Sequence, residues 1–298
     1  MPAEPPVGVL GATSPVGECL LAQLAQAGRQ AQAYSRSPRV DPPGGAVEWR
    51  QLPDPRSRSS HASNPEDGDS PRCWICAAPV WVLPEHFALL ETHQARRVLA
   101  LSSTSRFTKQ DSADPHENAV ARRLADAESR FQTWAESRGV EWVILRPTLI
   151  HGLGRDKNLC EIARIIRRFG FFPLLGSAHG LRQPIHAQDV ATACLAALRA
   201  PATANRAYNI SGGSTVAYRQ MVEQVFAALG RRPHLLRVPL WAFGGAVALI
   251  RCLPRYRHWS TAMAERMNSD LVFDHSDAVR DFGFSPRVFA PTSEDLAR

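Results

Sequence analysis

The stretch VGVLGATSPVG, residues 7–17, decides the fold of this 298-residue chain. Its first four residues form a short apolar run typical of a buried strand, and Gly11 follows directly. An amphipathic helix is predicted from about Val16 to Ala27. In such a strand–turn–helix unit Gly11 permits the tight turn and Gly17 permits close packing of the helix. The helix N-terminus offers free N–H groups to a pyrophosphate, so the stretch predicts a dinucleotide site.

Strand and helix candidates alternate over the first 150 residues. Further strands are predicted at 30–35, 73–78, 97–101 and 142–145. This alternation predicts an α/β fold with a parallel, doubly wound sheet.

A long helix is predicted after Asp114. Asp114 and Glu117 form a capping box there, Pro115 takes the first helical position, and Gly139 ends the helix. In contrast, residues 53–72 are rich in Pro, Ser, Asp and Arg and predict a mobile surface excursion.

The C-terminal third follows a different pattern. An amphipathic helix is predicted over 217–229, and residues 238–250 form an apolar run that is too short to span a bilayer. We interpret this run as a helix packed on the core. The alternative is an interfacial membrane patch, with Arg251, Arg255 and Arg257 beside it.

The chain is basic, with a net charge of +7. All of its 35 basic residues except Lys109 and Lys157 are arginine, a bias that suits phosphate recognition but also follows from a GC-rich genome. The charge favours anionic ligands such as nucleotides, or an anionic membrane surface. Nucleic acid is not expected, because the arginines are scattered and no platform of aromatic and basic residues appears.

The N-terminus does not have the pattern of a signal peptide, so we expect a cytoplasmic protein with six reduced cysteines. Cys73 and Cys76 form a CxxC pair, but in a strand residues three apart point to opposite faces. We therefore expect buried thiols and no metal site.

Several segments resemble those of extended and atypical short-chain dehydrogenases/reductases, the NAD-dependent epimerase/dehydratase-like superfamily. The turn at 11–17 resembles their GxxGxxG, with Ser14 in place of the middle glycine. Serine adds a Cβ near the phosphates, and its hydroxyl is a potential donor in return. The other matching segments are AAP at 77–79, SST at 102–104, LRPTLIHG at 145–152, QPIHAQDVA at 183–191 and YNISGG at 208–213.

The resemblance implies a Rossmann sheet with a smaller C-terminal substrate domain. We expect residues 1–152 and 184–213 to form the NAD(P)-binding domain, and residues 153–183 and 214–298 to form the substrate domain. The cofactor-binding residues that it implies are Gly11, Thr13, Ser14, Pro15, Val16, Gly17, Ser35, Arg36, Ala77, Ala78, Pro79, Ser102 and Pro147.

Cofactor preference depends on the end of the second strand. An acidic residue there would bind the ribose 2′-hydroxyl, but this chain has Ser35 and Arg36. An arginine without an acid favours a 2′-phosphate. The sequence therefore predicts NADP(H), with NAD(H) as the alternative.

The resemblance stops at the catalytic pair. Members of the superfamily use a tyrosine as general acid/base and a lysine four residues later. Aligning Ala127-Glu128 with the family's "AE" places Val120 and Leu124 at these positions, and no tyrosine lies on the predicted 115–138 helix.

Three other residues are candidates for proton transfer. Thr104 matches the family's catalytic Ser/Thr, and His151 and His186 are histidines that titrate near neutrality. Structural roles are the alternative for both histidines. Gln183 and His186 are the candidates for binding substrate.

Two functions follow as expectations. The first is an atypical NADP(H)-dependent oxidoreductase or epimerase-like enzyme on a nucleotide- or lipid-linked small molecule. The second is a non-catalytic dinucleotide-binding sensor or scaffold. Peripheral membrane association is a weaker alternative, and the oligomeric state is left open.

Overall fold

The computed structural model describes residues 4–39, 45–52, 70–112, 114–239 and 266–296. The strands are β1 (Val7–Leu10), β2 (Ala31–Ser35), β3 (Val47–Gln51), β4 (Cys73–Cys76), β5 (Arg97–Leu101), β6 (Glu141–Pro147), β7 (Ile150–His151), β8 (Phe172–Leu175), β9 (Leu181–Arg182), β10 (Ile185–His186), β11 (Arg206–Ile210), β12 (Val216–Ala217) and β13 (Leu235–Val238).

The α-helices are α1 (Pro15–Gln26), α2 (Phe87–Thr92), α3 (Ser105–Thr108), α4 (Pro115–Ser137), α5 (Leu159–Phe169), α6 (Ala187–Arg199), α7 (Tyr218–Ala228) and α8 (Ser276–Phe282). Short 3-10 helices occupy Val80–His86 and Pro201–Thr203.

Seven parallel strands form the main sheet, in the order β11-β6-β5-β4-β1-β2-β3. The order reverses direction between β1 and β4, and in open α/β sheets ligands bind in the crevice at this switch point. The predicted α/β, doubly wound Rossmann fold is confirmed. Two further strand pairs, β8 with β13 and β9 with β12, belong to the C-terminal part of the chain.

Alternation along the central strands builds a core on each face of the sheet. On β1, Val7 and Val9 join the core beside α1 and α6, whereas Leu10 joins the core beside α4. Gly8 has no side chain because the Trp74 ring covers it: a Cβ there would lie 2.4 Å from that ring. The glycine therefore makes room for the largest buried side chain of β4.

The CxxC pair behaves as its strand position predicts. Cys73 packs against one core and Cys76 lies in the other, and both are free thiols. Burial raises the pKa of the Cys76 thiol to about 12, so this sulfur stays protonated and unreactive.

The capping box at the start of α4 is only half formed, which corrects that prediction. The Asp114 side chain accepts from the backbone N–H of His116 at 2.9 Å. Glu117 does not complete the box, because its carboxylate accepts from the Ser112 hydroxyl at 2.8 Å and pairs with Lys109 and Arg266.

Strand β3 and helices α5 and α6 were not identified from the sequence. Residues 53–69 of the predicted excursion lie outside the described residues. Its end is anchored, because the buried Ser70 shares a hydrogen bond of 2.8 Å with His93.

A separate hydrophobic cluster lies in the C-terminal part of the chain, where α5, β8 and α7 pack around Ile166, Phe172 and Phe226. The domain boundaries given above stay a prediction. The apolar run at 238–250 lies outside the described residues beyond Pro239. Within the described ranges, none of the helices has the length and apolar character needed to cross a bilayer.

One buried carboxylate ties α4 to the sheet. Glu128 is fully buried, and it accepts from Arg146 Nη2 at 2.6 Å and from Ser102 and Arg106. Its charge is compensated by two guanidinium groups, which a buried carboxylate requires.

Replacing Glu128 should therefore destabilise the folded state. We expect Glu128→Ala to lower the free energy of unfolding by about 3 kcal/mol, because it leaves Arg146 largely buried without its partner. Urea denaturation measures this. Asp126→Ala on the same helix breaks the exposed pair with Arg130 and should cost less than about 1 kcal/mol. Equal losses in the two variants would contradict the role given to Glu128.

Candidate functional site

A cavity of about 690 Å³ lies at the switch point, where the strands β1 and β4 end side by side. The following predicted site residues line it: Ser14, Pro15, Val16, Ala77, Ala78, Pro79, Ser102, Thr104, His151 and Gln183. The predicted residues that do not line it are Gly11, Thr13, Gly17, Ser35, Arg36, Pro147 and His186.

Two glycines shape the turn at the cavity floor. Gly11 has φ +72°, and a Cβ there would lie 2.3 Å from the backbone nitrogen of Ala78. A Cβ on Gly17 would lie 2.4 Å from the Gly11 carbonyl oxygen. Only glycine fits at either position, so the turn packs directly on the end of β4.

Ser14 ties this turn together from inside. Its hydroxyl donates to the Ala77 carbonyl at 3.1 Å and accepts from the Gly17 N–H at 3.0 Å, as the N-cap of α1. The hydroxyl proton is therefore used within the protein. Pro15 has no N–H, so Val16 presents the remaining N–H of the first helical turn.

Arg155 brings a cation to the same turn. Its guanidinium donates to the Thr13 carbonyl at 3.3 Å and pairs with Glu18 at 3.0 Å. Sequence reasoning missed this residue, because one arginine among so many carries no distinguishing signal.

Arg36 lies beside the turn rather than in the cavity. The register pairs Leu10 with Tyr34, so the residues that follow each strand, Gly11 and Ser35, are neighbours at the same sheet edge. Arg36 is exposed, and its backbone carbonyl accepts from Gln51 at 3.3 Å. Within the described part of the chain its guanidinium makes no ion pair.

The wall formed by α4 is apolar where a catalytic pair would lie. Val120 and Leu124 line the cavity, and neither side chain transfers a proton. Thr104 is the hydroxyl-bearing candidate in the cavity, and its Oγ1 donates to the Pro147 carbonyl at 3.3 Å. A hydroxyl with this single partner keeps two lone pairs free to accept.

His186 is held by structural contacts. Its Nδ1 accepts from the Gln188 N–H at 3.1 Å at the start of α6, so Nε2 carries the proton toward Asp295 at 3.0 Å. Both nitrogens are thus engaged outside the cavity. Gln183 is likewise engaged, because its Oε1 accepts from the Phe273 N–H at 2.7 Å.

His151 lines the cavity but is almost fully buried. Its ring meets the edge or face of His186 and Phe289 at about 5 Å between centroids. Burial, and then the neighbouring His186, lower the pKa of His151 to about 4. The imidazole is therefore neutral at pH 7.

Both lysines of the sequence line this cavity. The ammonium of Lys109 lies 3.8 Å from Glu117 Oε1, one helical turn before Val120 on α4. Burial, and then the nearby Arg266, lower the pKa of Lys109. Sequence reasoning missed this residue, although a signal was present: in a chain whose other basic residues are all arginine, only positions 109 and 157 are lysine.

The cavity is positively charged. Its cationic side chains are Lys109, Arg155, Lys157, Arg182 and Arg266, and its acidic side chain is Asp156. Such a site attracts anions. Among the described residues, no group of three or more His, Cys, Asp or Glu side chains is placed to hold a metal ion.

The neutral state of His151 makes stability depend on pH. The unfolded chain binds a proton at His151 near pH 6.5 and the folded chain does not, so the folded state loses stability as the pH falls. Between pH 6.5 and 4 we expect the wild type to lose up to about 1.4 kcal/mol per pH unit more than His151→Gln. Chemical denaturation of both proteins measures this, and parallel curves would contradict it.

Comparison with known proteins agrees with this geometry. Residues 87–211 match the model of the NAD dependent epimerase/dehydratase family. The UDP-glucose 4-epimerase of Vibrio cholerae is 24% identical over 119 residues, which are 40% of this chain and 36% of that relative. The mitochondrial NADH dehydrogenase (ubiquinone) 1 alpha subcomplex subunit 9 of Arabidopsis thaliana is 26% identical over 100 residues, 33% of this chain and 25% of that relative.

The chain thus matches only a quarter to about a third of the length of these curated relatives. The fold match is more extensive. The UDP-glucose 4-epimerase of Thermotoga maritima, solved with UDP-glucose, superimposes with a TM-score of 0.64 and covers 97% of this chain and 95% of that one, at 14% identity. The predicted resemblance is confirmed: residues 87–211 match the family model, and the chain has the fold of solved epimerases.

Proposed function

We propose that this protein is an atypical NADP(H)-dependent oxidoreductase or epimerase-like enzyme acting on an anionic, nucleotide- or lipid-linked substrate. One observation carries the proposal: a single cavity joins the dinucleotide turn to five cationic side chains, including both lysines. The match to an NAD-dependent family supports it, and so does the UDP-glucose 4-epimerase relative.

The turn at residues 11–17 leaves room for a dinucleotide, but it offers fewer backbone N–H donors than a turn without Pro15 and Ser14 would. The glycines at 11 and 17 keep side chains away from the floor, and Val16 retains its N–H. Pro15 and the bond from Gly17 to Ser14 remove two backbone donors. The guanidinium of Arg155 supplies positive charge beside the same turn, so pyrophosphate binding depends more on charge and less on backbone N–H groups.

Lys109 takes over proton transfer in this proposal. A bound nicotinamide would supply a hydride to a substrate carbonyl carbon. The Lys109 ammonium donates a proton to the carbonyl oxygen, and solvent later returns one to the amine. Hydride and proton together convert the carbonyl to an alcohol. Thr104 Oγ1, whose own proton goes to the Pro147 carbonyl, accepts a hydrogen bond from the hydroxyl group of the alcohol. Glu117 holds the ammonium at the cavity wall.

The remaining cavity residues have other roles. Lys157 binds the anionic part of the substrate, whereas Arg155 serves the dinucleotide turn. His151 is neutral and tightly packed, and it shapes the wall without transferring a proton.

Cofactor preference is tested at Arg36. If its guanidinium binds a 2′-phosphate, calorimetry should show NADPH bound at least about tenfold more tightly than NADH, a difference near 1.4 kcal/mol. Arg36→Asp should reverse the preference, because an acid there repels the phosphate and accepts from the ribose hydroxyl. Equal affinity of the wild type for the two cofactors would contradict the proposal.

The proton donor is tested with two matched substitutions. Lys109→Arg keeps the charge but cannot release a proton near pH 7, so NADPH turnover should fall roughly a hundred- to ten-thousandfold. Lys157→Arg makes the same chemical change in the same cavity and should leave turnover within a few fold. A panel of sugar nucleotides and aldehydes, followed at the NADPH absorbance band, provides the assay.

A second measurement does not need a substrate. Because the sequence has two lysines, ¹³C-methylated lysines give two NMR signals, and Lys109→Arg assigns them. The Lys109 signal should titrate below the usual range of a lysine and shift when NADP⁺ is added. Full activity in Lys109→Arg, or a Lys109 signal indifferent to the cofactor, would overturn its role.

The second candidate function is a non-catalytic dinucleotide-binding sensor or scaffold. The apolar pair Val120 and Leu124 in the cavity wall favours it, as does the local similarity to a subunit of NADH dehydrogenase. Tight NADPH binding without turnover across the whole panel would select this function over the first.

A further inference from the structure

A basic surface lies at the C-terminal end of α5 and along β13. We call it the α5–β13 surface and define it as residues 164–171 and 231–237. Its basic residues are Arg164, Arg167, Arg168, Arg231, Arg232, His234 and Arg237. Neither range contains an aspartate or glutamate. Of these arginines, Arg164 pairs with Glu161 on the preceding turn of α5, so most of the positive charge is not neutralised locally.

The two ranges form one continuous surface. The Phe169 and Phe171 rings lie 6.1 Å apart, and Phe171 meets His234 at 6.2 Å. Arg231 donates to the Ile166 carbonyl at 2.8 Å, at the end of α5. Strand β13 then runs parallel to β8. Arg231 and the arginines at the end of α5, which are distant in the sequence, therefore lie next to each other.

Apolar side chains project among these charges. Phe169 and Leu236 are each 50% exposed, and the Arg168 guanidinium lies 5.3 Å from the Phe169 ring centroid. Large apolar groups beside uncompensated arginines match the interface of an anionic bilayer, where aromatic and aliphatic groups enter the headgroup region and cations meet phosphates.

The surface adjoins the candidate site. A second cavity of about 780 Å³ is lined by residues 154–157 and by five residues of α5, namely Cys160, Glu161, Arg164, Arg167 and Arg168. Arg155, Asp156 and Lys157 line both this cavity and the first one. A basic path therefore leads from the α5–β13 surface to the cavity at the switch point.

We propose that the α5–β13 surface docks on an anionic phospholipid bilayer. The arginines contact lipid phosphates, and Phe169 and Leu236 insert at the headgroup level. The proposal does not depend on the enzyme activity proposed above. A nucleic acid is a poorer match, because a base could stack on Phe169 but would leave the exposed aliphatic side chain of Leu236 without an apolar partner.

Vesicle sedimentation of the full chain tests the proposal. We expect binding to vesicles of phosphatidylcholine with phosphatidylglycerol, little binding to phosphatidylcholine alone, and release at high salt. Arg232→Glu combined with Arg237→Glu should lower the partition coefficient at least about tenfold, because each basic residue near an anionic surface contributes separately. Phe169→Ser should also weaken binding at low salt, because it removes an aromatic side chain that inserts at the headgroup level.

The control carries the same change of charge elsewhere. Arg122→Glu combined with Arg130→Glu alters two exposed positions of α4. This control variant should lose less than half as much vesicle binding as the Arg232/Arg237 variant. Circular dichroism and NADPH affinity verify that every variant is folded. Equal losses in both double variants, no binding to either vesicle, or preferential capture by single-stranded RNA would overturn the proposal. So would a dimer in gel filtration that the Arg232/Arg237 variant disrupts while vesicle binding is absent.

Discussion

The whole arrangement depends on the close approach of the turn after β1 to the end of β4. Gly11 comes so near the Ala78 backbone that no side chain fits between them, and Ser14 adds a hydrogen bond to the Ala77 carbonyl. This contact places the N-terminus of α1 at the point where the sheet order reverses. The side chains of α4, and those that follow β5 and β6, line the cavity that begins at this point.

The α4 wall of the cavity is apolar, and the charged side chains that line the cavity come from other segments. The wall of α4 offers Val120 and Leu124 to the cavity, while a cation enters from the loop after α3 as Lys109. Glu117, on the same helix, orders this ammonium instead of capping α4. The site thus contains an ammonium group and other cations, held by a partly exposed ion-pair cluster of Lys109, Glu117 and Arg266.

Charge links the cavity to the outer surface of the C-terminal part. The segment 155–157 lines both cavities, and α5 continues the positive field outward. Cationic side chains outnumber acidic ones along this path, where Asp156 and Glu161 are the acidic lining residues. Long-range attraction of this kind raises the local concentration of anions before any specific contact forms.

The sequence by itself determined the parallel sheet, the glycine turn, the opposite orientation of the two CxxC thiols and the long helix α4. These features follow from local rules: periodicity, glycine and proline positions, and the alternation of strand faces. Glu117 shows where local rules stop, since its spacing from Asp114 predicted a capping box. Only the tertiary structure decided that its carboxylate turns to Lys109 and Arg266, because those cations come from segments distant in the chain.

Contacts between segments distant in the chain also decide the states of the two histidines and the position of the two lysines. Burial and the neighbouring His186 lower the pKa of His151, and His186 itself is engaged by Asp295. Residue type alone predicts neither the protonation state of His151 nor the structural contact of His186. The presence of only two lysines was visible in the sequence. Their meeting in one cavity was decided by the fold, because non-local packing brings residues 109 and 157 together.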